Sequence, residues 1–313
     1  MIRRFMPSGA ERSELERVLE EHADQRFAVI EPGGNHGDHL IYRGLERTLD
    51  GLGVAYESVN YLDLLRSSFT RKARKGVNLL FEPTGLVPFE ELPLGDPDVV
   101  LIHGGGNFSD IWGGSMAVFK NVVAKYPDTP IVVGPQTYWF TTTDFGELVD
   151  GTSQRIRMFC REEYSYALLN NYTLPENVTV HRSPDTAFYL DGEYLRDYLT
   201  DDLGGRDVGG HDLVAFRDDR ESIVPRHEQE RVATESENPH VEDVSDKSLT
   251  SFEQFVTLTE RADTVYTDRL HVSILGTLLG NDVEMYENRY YKNRGVYKYS
   301  LSGMSKTRFN DAV

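Results

Sequence analysis

The sequence predicts an α/β protein with parallel sheets covered by helices, divided between two domains. Three observations carry this. Short apolar runs alternate with amphipathic stretches, the order expected of sheets covered by helices. Glycine, proline and aspartate bound each run, and the glycine-rich turns follow the runs rather than precede them. At 313 residues the chain is also long enough for two domains of ordinary size.

Taken in order, "RFAVIE" (26–31) reads as the first strand, followed by the turn "PGGNHGD" and a helix with apolar positions Leu40, Ile41, Leu45, Leu49 and Leu52. "VAYESV", "DVVLIH", "PIVVG" and "MFC" read as further strands. After "TVHRSPDTAFYL" the composition changes: residues 191–212 are acidic and glycine-rich and read as the interdomain region. An N-terminal domain over 1–195 and a shorter C-terminal one over 196–313 follow. The second domain offers "DLVAFR", a helix in "SFEQFVTLTERA", the strand "TVYT", a helix in "TDRLHVSILGTLLG" (267–280) and the strand "DVEMY". Residues 218–248 show no sustained apolar period and read as a mobile surface insertion.

Composition narrows the function classes. Fifty-one acidic residues face 33 basic ones, a net charge of -18, and lysine is scarce, with 8 residues against 25 arginines. Such a surface repels nucleic acid and anionic membranes. The lysine deficit resembles proteins adapted to concentrated salt, where self-repulsion is screened; an acidic protein of ordinary habitat is the alternative. No apolar run approaches a membrane span, and "MIRRFMPSGAERSELERVLEEH" lacks a signal-peptide core, so the expected place is the cytoplasm, including the inner membrane face as a peripheral protein. The single cysteine, Cys160, reads as a core residue at a strand end. No metal site is expected: the histidines lack ligand spacing, and "DPD" (96–98) precedes its strand and reads as a turn. The glycosylation triplets at Asn107, Asn171 and Asn177 are idle in a cytoplasmic chain.

Five polar stretches share the carboxyl side of a strand: "GGNHGD", "GGGN" (104–107), "GPQT" (134–137), "REE" (161–163) and Arg217. Ligands of parallel α/β sheets bind outside the carboxyl ends of strands, so these loops should line one crevice. Gly34, Asn35 and Gly37 would form its first wall; Gly104, Gly105, Gly106, Asn107 and Gln136 would form its second, with glycine allowing close approach of backbone to ligand. Neither a GxGxxG nor a Walker pattern is present. The helix at 267–280 raises a sharper question. Arg269 stands at its start, against the helix dipole, and this predicts a nearby anion. Thr267 or Asp268 as the cap, with Arg269 merely solvated, is the plainer reading.

"GGNHGDHLIYRGLERTL", "LIHGGGNF", "VVGPQT", "FCREEYSYALL", "SPDTAFYL", "TDRLHVSILGTLLGN" and "ENRYYKNRGVYKYSL" occur in the order and spacing of the polysaccharide pyruvyl transferases, and the chain resembles that family from about Phe27 to Leu301. The resemblance implies two Rossmann-like domains facing across a cleft, as in the B-type glycosyltransferases. It implies transfer of pyruvate from phosphoenolpyruvate to a sugar as a cyclic ketal, with no organic cofactor. The acceptor would be a glycan, lipid-linked or nucleotide-linked sugar. A dianionic donor suits arginine's planar fork, which points to Arg161, Arg269 and Arg217, with Lys292 of "YYKN". A bound anion raises the pKa of an imidazolium beside it toward the working range of a general acid, making His271 the candidate acid. Asp38 either takes a proton from a sugar hydroxyl or caps its helix. A nucleotide-sugar glycosyltransferase, with less need of clustered arginines, and a non-catalytic sugar-binding relative are the rival readings.

Overall fold

In a computed structural model that describes residues 12–61, 94–206 and 208–311, the chain folds around two parallel sheets. The outer ends of the two expected domains, 1–11 and 312–313, lie outside the described residues. The first sheet holds β1 (Arg26–Glu31), β2 (Ala55–Asn60), β3 (Val99–Ile102), β4 (Ile131–Gln136), β5 (Ile156–Cys160) and β6 (Val178–Arg182), in the order β2-β1-β3-β4-β5-β6. The second holds β7 (His211–Val214), β8 (Pro239–Val241), β9 (Ala262–Thr267), β10 (Asp282–Tyr286) and β11 (Thr307–Asn310), in the order β11-β10-β9-β7-β8. Each sheet therefore places its first strand between its second and third, and each reverses direction at that first strand. That reversal is the topological switch point, where loops on the carboxyl side diverge and leave a crevice.

The helices follow from the same crossovers: α1 (Glu14–Glu21), α2 (His36–Leu52), α3 (Gly114–Lys125), α4 (Phe145–Val149), α5 (Glu163–Asn170), α6 (Gly192–Arg196), α7 (Arg226–Glu235), α8 (Phe252–Glu260), α9 (Leu270–Leu279) and α10 (Lys292–Val296). Burial in the first sheet has period two: Ala28, Ile30, Val100 and Ile102 enter one core, and Phe27, Val29, Val99 and Leu101 enter the core on the other face. A sheet covered on both faces reads as continuous apolar runs, as "DVVLI" and "PIVV" do. Cys160 is buried at the end of β5, and Asp98 precedes β3, where it accepts the Arg26 backbone N–H at 2.9 Å.

Two stretches differ from expectation. Residues 218–248 are an ordered crossover: α7 and β8 link β7 to the outer edge of the second sheet, with Asp212 opposite Pro239. Their apolar period is absent because the unit lies at an edge, where α7 buries only Val232 and Val241 of β8 stays largely exposed. Residues 191–212 contain α6 and send Leu195, Leu203 and Val208 into the second core.

Helix α2 joins the halves. Leu45 and Leu49 belong to a core of the first sheet, whereas Leu40 packs with Phe188, Leu270 and Ile274 in the core of the second. Thr186 Oγ1 donates to the Ile41 carbonyl at 2.8 Å. A Cβ at Gly44 would lie 1.8 Å from the Thr186 carbonyl oxygen, so this crossing requires glycine. Among the described residues, no helix is long and apolar enough to cross a membrane.

Candidate active site

The carboxyl ends of the two sheets face each other across a cavity of about 330 Å³, near the lower end of small-molecule sites. Its wall takes residues that follow β1, β3, β5, β7 and β9, with Lys292 from α10.

On the first half, the turn after β1 is set by a capping box. Asn35 is the N-cap of α2; its Oδ1 accepts the Gly37 N–H at 2.8 Å, and Asp38 Oδ2 accepts the Asn35 N–H at 2.8 Å. Asp38 is thus a cap, and it also lines the cavity. Gly34 sits at φ +142°, and a Cβ there would come within 1.9 Å of Asp38 Oδ2. A Cβ on Gly37 would meet His271 Cβ at 2.6 Å, so the missing side chain lets the starts of α2 and α9 touch. Gly34, Asn35, Gly37, Gly106 and Asn107 form wall, as expected. Gly104, Gly105 and Gln136 lie behind it: Gly104 packs on the Pro135 carbonyl, Gly105 bridges to Gln136, and the Gln136 amide donates to the His103 carbonyl at 2.9 Å. The three link β3 to β4 directly behind the wall, and a Cβ on Gly105 would lie 3.5 Å from Asp38 Oδ1.

Arg161, first after β5, is fully buried. Nε donates to Thr137 Oγ1 at 2.8 Å and Nη1 to Asp185 Oδ2 at 2.6 Å, while Nη2 has no partner. A Cβ on Gly106 would lie 3.2 Å from that Nη2. His271 brings Nε2 to 3.3 Å from the same Asp185 oxygen and 3.5 Å from Arg161 Nη1. Nine of the ten residues of α9 are buried, and His271 keeps 13% of its side chain exposed. Burial pushes the Asp185 carboxyl up, but the hydrogen bond and charge of His271, with the Arg161 guanidinium, outweigh it and hold Asp185 well below the usual carboxylate range.

On the second half the cations have carboxylate partners. Arg217 grips Asp219 with two bonds of 2.7 and 2.9 Å and gives a third to Glu221. Glu221 also receives Lys292 Nζ, Trp112 Nε1, Asn288 Nδ2 at 3.1 Å and the Tyr290 hydroxyl at 3.3 Å. Burial raises the Glu221 carboxyl, but Lys292 and Arg217 together bring it well below the usual range. Lys292 is lowered by burial to about 8, with Glu221 opposing that shift. The sequence set Arg217 and Lys292 beside a bound anion; in the structure Glu221 takes that place.

Arg269 is the N-cap of α9 and makes no side-chain capping bond; its backbone N–H goes to Thr267 Oγ1 at 2.9 Å. Its guanidinium reaches Asp243 and, at 3.2 Å, Asp219, while Nε is buried without a partner. The anion expected at this helix start is therefore carboxylate in part. Asp268 is buried, accepts the Arg217 N–H at 2.8 Å through Oδ1 and leaves Oδ2 unpaired; burial raises it to about 7.

Of the predicted cations, all four line the cavity, but only Arg161 and Arg269 present buried N–H groups without partners. Such groups are costly unless something accepts from them. Sequence reasoning passed over Asp185, Asp219, Glu221, Asp243 and Trp112. Asp185 stood within the quoted "SPDT"; Asp219, Glu221 and Asp243 lay in the stretch read as an insertion, and their pairing depends on contacts the linear pattern does not carry.

Residues 35–280 match the family described as polysaccharide pyruvyl transferase. Pyruvyl transferase 1 of Schizosaccharomyces pombe (strain 972 / ATCC 24843) is 24% identical over 296 residues, covering 87% of this chain and 69% of its own length. EpsO of Bacillus subtilis (strain 168) is 25% identical over 248 residues, covering 70% of this chain and 76% of its own. A crystal structure of a protein from Klebsiella pneumoniae subsp. pneumoniae NTUH-K2044 superposes with a TM-score of 0.61 at 23% identity, over 95% of this chain and 97% of that one, a likeness of fold.

Proposed function

The chain belongs to the polysaccharide pyruvyl transferase family, and on that premise we propose that it moves the pyruvyl group of phosphoenolpyruvate onto two hydroxyls of one sugar, releasing phosphate and leaving a cyclic ketal. The observation that carries this reading is the pair of buried, unpartnered guanidinium N–H groups on Arg161 and Arg269, set in one cavity with His271. A small ligand with a carboxylate and a phosphate supplies acceptors for both.

In this reading, Arg161 and Arg269 hold the donor's anionic groups across the cleft. His271, its Nε2–H directed at Asp185, donates the proton on Nδ1 to the donor's methylene carbon. The adjacent carbon becomes electrophilic and a sugar hydroxyl attacks it, losing its proton. The carbon–oxygen bond to phosphate then breaks, the phosphate leaving with the electron pair, and a second hydroxyl closes the ring with loss of its own proton. Asp38, already tied to Asn35 through Oδ2, offers its other oxygen to orient a sugar hydroxyl. Lys292 and Arg217 act through Glu221, shaping the far wall. No organic cofactor or metal is needed for these steps. Work on cytoplasmic sugar precursors fits the reading.

The test is incubation of the protein with phosphoenolpyruvate and a panel of sugars and sugar nucleotides. Sugar-dependent phosphate release with a new ketal methyl signal by NMR is expected. Phosphoenolpyruvate that neither binds nor turns over, while a nucleoside diphosphate sugar does, would transfer the reading to glycosyl transfer.

A further inference from the structure

We propose that the indole of Trp112 is the platform on which the acceptor sugar stacks, a specificity-determining contact at the cavity wall. This rests on the pyruvyl-transfer reading for the identity of the donor, and on separate observations for the platform.

Trp112 lies in the loop between β3 and α3, and 40% of it is exposed although it lines a polar cavity. What sets this ring apart is its place, since its uncovered part borders a cavity and is open to a ligand that enters it. The ring is not loose. Its Nε1–H donates to the buried Glu221, and the Arg220 guanidinium lies 5.9 Å from the ring centroid. The loop itself is fastened from below: Asp110 Oδ2 accepts the backbone N–H groups of Thr141 at 2.6 Å, Thr142 at 2.7 Å and Thr143 at 3.2 Å, and the Asp110 N–H donates to the Trp139 carbonyl at 3.0 Å. A flat, held and partly uncovered aromatic ring bordering a group of hydrogen-bonding side chains suits one chemical class well. A pyranose presents a face of C–H bonds to the negative face of an aromatic ring and hydroxyls around its edge. Asn107 and the Asp38 oxygen not used in capping are polar neighbours on the cavity wall. Holding the ring beforehand lowers the ordering cost of the stacking contact.

The chain has two tryptophans, so Trp139→Phe leaves Trp112 as the only indole reporter. Methyl glycosides of galactose, glucose and mannose should be titrated into that variant with phosphoenolpyruvate present, following emission. At least one should give a saturable shift. Trp112→Ala should raise the acceptor KM about tenfold, with kcat and phosphoenolpyruvate affinity close to wild type; Trp112→Phe, which keeps an aromatic face, should recover most of the loss. The same difference between wild type and Trp112→Phe serves if Trp139→Phe does not fold. Emission unmoved by every glycoside at about 0.1 M, a range that reveals even millimolar binding, overturns the platform. So does an unchanged acceptor KM in Trp112→Ala, or a response to uridine diphosphate alone. Calorimetry with phosphoenolpyruvate on wild type separates the two ideas: no donor binding sinks the pyruvyl reading, whereas donor binding without a sugar effect at Trp112 sinks only the platform.

Discussion

The loop after β1 and the loop after β7 occupy equivalent places in two sheets of like topology, yet they bring different material to the cavity. The first brings Gly33, Gly34 and Gly37, with Asn35 and Asp38 spent on capping α2. The second brings Arg217, Asp219 and Glu221. The third strands repeat the contrast: Gly106 and Asn107 follow β3, Arg269 and His271 follow β9. One wall is made of backbone, the other of charge. The reason is spatial. The starts of α2 and α9 touch at Gly37 and His271, so one helix start must be stripped of side chain for the other to keep its imidazole. Arg161 is the exception, a cation on the backbone wall, and its burial and pairing with Asp185 show what a charge needs in order to be held there.

That contrast is open to test, and the largest effect should come from its exception. Arg161→Ala should cost about 3 kcal/mol of folding stability, because it takes the guanidinium from the fully buried Asp185 and leaves only His271 Nε2 beside that oxygen. Arg269→Ala, on the charged wall and closer to solvent, should cost little stability but about 1.5–3 kcal/mol of phosphoenolpyruvate affinity. Urea unfolding and calorimetry on both variants would reveal equal stability losses if the two walls were alike. Next, His271→Gln should lower turnover about 100-fold or more with the fold and much of the donor affinity intact, since glutamine keeps a hydrogen bond but transfers no proton near neutral pH. Near-normal turnover in that variant would leave His271 as a contact only.

A smaller effect concerns Asp268, beneath the charged wall. Its carboxyl stands at about 7 in the folded protein against an ordinary value near 4, so between these the native state binds more protons than the unfolded chain. The resulting stability is fully present below about pH 4 and is lost as pH rises through 7, by on the order of 1 kcal/mol or more. Asp268→Asn should flatten that part of the profile; an unchanged slope would assign it to other groups. Smallest per residue is salt. With a net charge of -18, molar chloride should raise the melting temperature by screening self-repulsion, and equal melting in dilute buffer would argue against adaptation to salt.

The sequence by itself determined the elements whose signal is local. Strands buried on both faces, such as β3 and β4, appear as unbroken apolar runs. Turns that require positive φ appear as glycine, as at Gly34. The start of α9 stood out because Arg269 opposes its helix dipole. What the sequence could not show was partnership. Asp185 is 86 residues from His271 and Glu221 is 71 from Lys292, and those separations leave no periodicity to read. The helix α7 and strand β8 were missed for the opposite reason: they bury so little that their pattern is polar throughout. Only the tertiary structure decided that Arg217 and Lys292 are taken up by Glu221 while Arg161 and Arg269 keep free donors. Charge compensation depends on distance through space, which the order of residues along a chain does not specify.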